Sequence, residues 1–132
     1  MLTQRQIDEI YAKKPESRYR YFIKTISEEE EVWGLADDEG WLMIEDLDDN
    51  TDVMPVFPRA EFVDIFRERA GFQEYKTEVL DLYEFVDWLD DFALENIKVA
   101  VFPTPDFHGA VLPPDRIKED IQAEFDKELQ DE

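Results

Sequence analysis

The chain has 132 residues, 43% of them hydrophobic, and includes ten Phe, five Tyr and three Trp. Its 35 acids against 14 bases give a formal charge of −21, and cysteine is absent. The length fits one domain able to bury roughly 70% of its unfolded surface without metal or disulfide. The aromatic content excludes an acidic disordered chain, and the charge argues against nucleic-acid binding, whose affinity comes from bases on phosphates. Without cysteine there are no disulfide frameworks, thiolate zinc sites or cysteine nucleophiles.

At the N-terminus, MLTQRQIDEIYAKK lacks an apolar core of signal-peptide length, and no run approaches a membrane span. A cytoplasmic protein with no membrane partner is the expectation. Thr3 and Gln6 form a capping box, and Ile7, Ile10 and Tyr11 follow at helical spacing, giving a first helix that ends near Lys13. Pro15 opens a second helix with Tyr19, Phe22, Ile23 and Ile26 in its stripe and Arg18, Arg20 and Lys24 outside it; the helix should end where SEEEE begins. EVWGLADDEGWLMIED reads as a hairpin. Trp33 and Leu35 alternate, Asp37–Gly40 supplies the turn, and WLMI reads as a strand covered on both faces.

EDLDDNTD, residues 45–52, connects this hairpin to VMPVF, whose Pro55 predicts an edge strand or a strand end. Pro58 opens a third helix with Phe62, Ile65 and Phe66 inward and Gly71 as its stop. FQEYKTEVL is extended but ambiguous. Asp81 with Glu84 starts a fourth helix with Leu82, Phe85, Val86, Leu89 and Phe92 on one face. IKVAVF is an apolar strand, followed by the stiff PTP turn and a short strand, GAVL. Pro113, Pro114 and Asp115 launch the last helix, with the stripe Ile117, Ile121, Phe125 and Leu129. Together these elements predict a single α+β domain over residues 1–132, its acidic end 126–132 prone to fray. It should hold a mainly antiparallel sheet of about five strands with about five helices packed on it. Trp41, Ile44, Val99 and Val101 are expected in the core.

The charge is uneven. Residues 1–27 carry six bases and three acids, a balance of +3, which leaves −24 for the remainder. From Glu28 to Pro58 there are twelve acids and no base. Solvation or a salty host cytoplasm explains such a surface, and so does a basic partner. Read as a calcium loop, EDLDDNTD supplies Asp46, Asp48 and Asn50 at positions 1, 3 and 5, but Thr51 stands where Gly is required and Phe57 where a bidentate Glu is required. No metal is therefore expected there, and no cofactor elsewhere. His108, the one histidine, lies in a turn-like FHG. Ser17 and Ser27, the two serines, have no activated-nucleophile context, and the four glycines match no phosphate loop. Carboxylate pairs are too numerous to single out a glycosidase dyad. Trp33, Trp41, Trp88, Phe57 and Phe102 fit core packing better than ligand stacking.

The strings RYRYFIKTI, VWGL, GWLMIED, MPVFPRAEFVDIF, VAVFPTP and HGAVLPPDRIKEDI, in order between about residues 4 and 125, resemble a bacterial family, the domain-of-unknown-function family 2750. The resemblance implies a small stand-alone cytoplasmic protein and no particular activity. The PVFP-helix and VFPTP…LPPDRI segments are also loosely similar to the N-terminal domain of enhanced serine sensitivity proteins, a likeness of fold that supplies no function. The leading functional expectation is a non-catalytic protein-binding or regulatory module facing a basic protein, as an immunity or inhibitor protein does. Glu45, Asp46, Asp48, Asp49 and Asp52 are its candidate partner-binding residues. The alternative is an accessory enzyme or small-molecule binder with a carboxylate-lined pocket. The sequence leaves the oligomeric state open.

Overall fold

A computed structural model describes residues 2–46 and 50–130 of the chain. Helix α1 (Gln4–Tyr11) starts at the capping box: the Thr3 hydroxyl accepts from the Gln6 N–H while the Gln6 side chain accepts from the Thr3 N–H. Helix α2 (Pro15–Glu29) runs into the SEEEE segment and stops where Glu30 turns left-handed, φ 58°. Helix α3 (Ala60–Ala70) ends at left-handed Gly71, and α4 (Leu82–Glu95) begins where the Asp81 carboxylate accepts from the N–H groups of Tyr83 and Glu84. Helix α5 (Pro114–Gln130) closes the described chain. The expected stripes are largely the buried ones: Ile7 and Ile10, Phe62 and Phe66, Leu89 and Phe92, Ile117 and Ile121. The side chain of Leu129 and residues 131–132, part of the segment expected to fray, lie outside what is described.

Among the described residues the strands are β1 (Glu31–Asp37), β2 (Gly40–Trp41), β3 (Ile44–Asp46), β4 (Thr51–Val56), β5 (Lys76–Asp81), β6 (Lys98–Val101) and β7 (Ala110–Leu112). The domain is α+β and its pairings are antiparallel except for parallel β4–β6. The strands divide into two sheets, ordered β2-β1-β5 and β3-β4-β6-β7. The second half of FQEYKTEVL forms β5, paired with β1 from Glu31 to Ala36.

One sequence expectation fails here. WLMI is not a continuous strand. Leu42 N–H still bonds the Leu35 carbonyl, but Met43 belongs to neither sheet and Ile44 pairs with Val53 in the other. Four consecutive apolar residues carry no period, so nothing in them distinguishes a covered strand from a crossing between sheets. Of the four expected core residues, Val99 and Val101 are buried, whereas Trp41 and Ile44 are half-buried, one at the crossing and one on a sheet face.

The crossing gives the fold its shape. One edge of β1 is shared: Trp33 exchanges backbone hydrogen bonds with Phe57 at 3.0 and 2.8 Å, and Leu35 accepts from Leu42. The matching edge of β4 is shared too, with Phe57 on β1 and Thr51–Val53 on β3. Between them the sheets fork. Phe102 N–H reaches the Val56 carbonyl on the β6 side and Phe57 faces β1, so strand alternation turns Pro55 toward the fork. A residue with no N–H leaves no orphan donor there. Pro55 therefore sits within an interior strand, beyond the last residue paired with β3, and not on a sheet edge. Gly34 completes the fork: a Cβ on it would lie 3.0 Å from the Trp41 ring.

Candidate functional site

Strand alternation gives the β3-β4-β6-β7 sheet two unlike faces. Met54, Val56, Val99 and Val101 face inward and are 0–3% exposed. Pro55, Ala100 and Val111 are register neighbours on the outer face, as are Ile44 and Val53. They floor a groove of 390 Å³ that Pro103, Phe107 and Gly109 line at one end and Glu45 and Asp46 at the other. Away from those carboxylates its side is apolar and open: Phe107 is 54% and Val111 47% exposed.

Phe107 is held there at a conformational cost. Its φ is 64°, a left-handed backbone that bulky residues avoid. A tight turn enforces it: Thr104 N–H donates to the His108 carbonyl and Phe107 N–H to the Thr104 carbonyl, both at 2.8 Å. His108 N–H adds a bond to Thr104 Oγ1 at 3.2 Å. The ring meets Phe66 and Phe72 nearly at right angles, with centroids 5.6 and 6.3 Å away. Gly109 allows the close return, because a Cβ there would lie 2.9 Å from the Pro103 Cα. His108 is an exposed turn residue, as its sequence context suggested.

At the far end, β3 and β4 form a hairpin in which Glu45 faces Asp52 and Asp46 faces Thr51. Asn50, φ 57°, donates its N–H to the Asp46 carbonyl at 2.8 Å and closes the turn. Glu45 and Asp52 are both exposed, and like charges directly opposed across a ladder destabilise it. Asp48 and Asp49 lie outside the described residues. The flanks of the loop are strands, unlike the helices of a calcium-binding helix–loop–helix.

The acidic segments SEEEE and EDLDDNTD do not lie together. Because β1 is antiparallel to β4 at Trp33 and Phe57, the SEEEE end of β1 lies at the opposite end of the strands from the β3–β4 tip. The Asp37–Gly40 turn points the same way as that tip. The chain reversal at Leu42–Met43 is the cause, since it inverts β3 relative to β2.

Bases collect elsewhere. Arg20, Lys24, Arg116 and Lys127 line a 720 Å³ groove between α2 and α5. There the Tyr19 hydroxyl donates to Asp120, which also accepts from Arg116 Nε. Burial, then the Asp120 bond, pushes the Tyr19 phenol well above its usual range.

Of the aromatic set assigned to the core, Phe57 and Phe102 are buried, but Trp33, Trp41 and Trp88 keep part of their surface in solvent. Phe107, Val111 and Pro55 were not singled out for a site. The available signal was an aromatic residue inside turn chemistry, PDFHG, where a side chain is seldom needed for the core. Ser17 is half-buried and Ser27 buried on α2, and His108 lies in the β6–β7 turn.

No curated protein matches the chain. The family model described as "Protein of unknown function (DUF2750)" matches residues 19–121, which take in β1 to β7 and the start of α5. The chain belongs to that family.

Proposed function

We propose that the protein is a non-catalytic binding module whose outer sheet face takes a segment of a basic protein. One observation carries this reading: the open apolar groove ends on a strained, exposed Phe107 at one side and on Glu45 and Asp46 at the other. An apolar anchor would fill the floor, and Lys or Arg beside it would meet the carboxylates of Glu45 and Asp46 at the groove's end. Asp48 and Asp49 belong to the same loop in sequence and add to its charge. Charge at such a rim acts mainly on the rate of encounter, and contact with the floor on the rate of release. A cytoplasmic setting and an inhibitor-like role are compatible with this surface.

The test is capture from native lysate at low and high salt, run beside two variants. Phe107→Ala removes the anchor contact, and Glu45→Gln with Asp46→Asn removes the rim charge. A basic protein captured by the native chain, lost with the first variant and slower to associate with the second, supports the proposal. Capture that ignores both variants refutes it.

A further inference from the structure

A second cleft has walls of a different kind. It opens where the chain leaves β2, between that crossing and α4, with a volume of 390 Å³. Trp41 and Trp88 form two of its walls, their indole planes 83° apart and their centroids at 5.8 Å. Trp88, Asp91, Phe92 and Glu95 follow one another at i, i+3, i+4 and i+7, so one face of α4 brings two rings and two carboxylates to the same opening. Met43, on the crossing, is part of the rim, and Leu94 stands 87% exposed beside it. Among the described residues, no base lines the cleft.

Core packing alone does not account for this arrangement. A buried Trp normally hides its ring, yet both rings here are only half-buried. The two indoles pack edge to face, which leaves part of each ring open to the cleft, and an open indole face carries negative quadrupole density. A compact cation seated there also meets the field of Asp91 and Glu95. A neutral apolar ligand would gain the ring contacts but not the charge, and an anion would be repelled by both.

We propose that the Trp41–Trp88 cleft binds a small organic cation of the alkylammonium class, with a methylated ammonium head against the two indoles and Asp91 and Glu95 as counter-charges. This site is independent of the groove beside Phe107. It uses β2, Met43 on the crossing and α4, none of which lines that groove, and either can fail alone.

The test uses choline and its neutral carbon isostere, 3,3-dimethylbutan-1-ol, with tryptophan fluorescence as readout. Trp33→Phe serves as the working background, because Trp33 does not line the cleft. The expectation is a saturable change with choline at a dissociation constant on the order of 1 mM, and binding of the isostere at least about tenfold weaker. Asp91→Asn with Glu95→Gln, both exposed positions, should weaken choline about fivefold or more and leave the isostere unchanged. Trp88→Leu should abolish the choline response in a chain whose circular dichroism stays native. Equal titration by choline and the isostere overturns the proposal. So does the absence of a saturable response to choline, or a choline affinity untouched in the double carboxylate variant.

Discussion

The inner and outer faces of the β3-β4-β6-β7 sheet are built by the same strands, yet the outer face is closed only in part, at Val53 and Pro55. Met54, Val56, Val99 and Val101 vanish from solvent, while Val111 and Phe107 stay open on the other side. The β6–β7 connection shows the contrast in two residues of one type. Phe102 and Phe107 both adopt left-handed backbones, φ 50° and 64°. Phe102 is 1% exposed and packs its ring 4.6 Å from Phe62, with Tyr11 and Tyr21 around it. At Phe102, burial offsets the strain. At Phe107 little burial does, and strain retained without burial points to a role outside folding.

Truncating the two rings should therefore separate them. Phe102→Ala is expected to cost about 3–5 kcal/mol, from lost transfer energy and the cavity left among Tyr11, Tyr21 and Phe62. Phe107→Ala should cost less than about 1 kcal/mol, because the ring is already largely hydrated. Urea unfolding of both variants checks this. Comparable losses would mean that the outer face is as structural as the inner one.

The next effect lies at the boundary between the faces. Gly109→Ala would place a methyl 2.9 Å from the Pro103 Cα and 3.1 Å from the Val101 carbonyl, and backbone cannot swing aside as a side chain does. A loss of about 1–3 kcal/mol is expected, read in the same unfolding experiment. Gly34→Ala makes the informative partner. Its nearest neighbour is the Trp41 ring at 3.0 Å, which can shift, so its cost should be smaller and a change in tryptophan fluorescence should accompany it.

How much of this was legible in the sequence follows from the same contrast. The helices were, because their stripes and caps are local: Thr3 with Gln6, Asp81 with Glu84, and Gly71 each act within a few residues. The turn at Asp37–Gly40 and the buried strand at Val99 and Val101 were legible for the same reason. The division into two sheets was not. It depends on Trp33 meeting Phe57 and on the reversal at Leu42–Met43, contacts between residues that no local pattern links. The acidic tip could be named residue by residue as Glu45, Asp46 and Asp52. What the sequence could not show is that Glu45 and Asp46 share a groove with Phe107, because parallel β4–β6 pairing brings residues far apart in the chain together.

The smallest expected effect tests an unsatisfied group on α1, packed against the inner side of the sheet. Tyr11 packs against Phe62 and Phe102, with ring centroids at 5.3 and 6.0 Å, but its hydroxyl is buried without a hydrogen-bond partner among the described residues. Burial pushes this phenol up to about 12, with the Arg69 and Arg18 charges pulling the other way. In the unfolded chain it titrates near about 10. Between those values the unfolded chain releases the proton while the folded chain keeps it. The contribution of Tyr11 is therefore fully present below pH ~10 and is lost as pH rises toward ~12. Tyr19, raised in the same direction, adds to this alkaline loss. Tyr11→Phe removes an unsatisfied hydroxyl and keeps the ring, so at neutral pH it should be neutral or stabilising by up to about 1 kcal/mol. The difference between native and variant stability should then widen in favour of the variant from pH 10 upward, as thermal unfolding across that range would read. A variant less stable at pH 7, with no widening above pH 10, would show that the Tyr11 hydroxyl is satisfied.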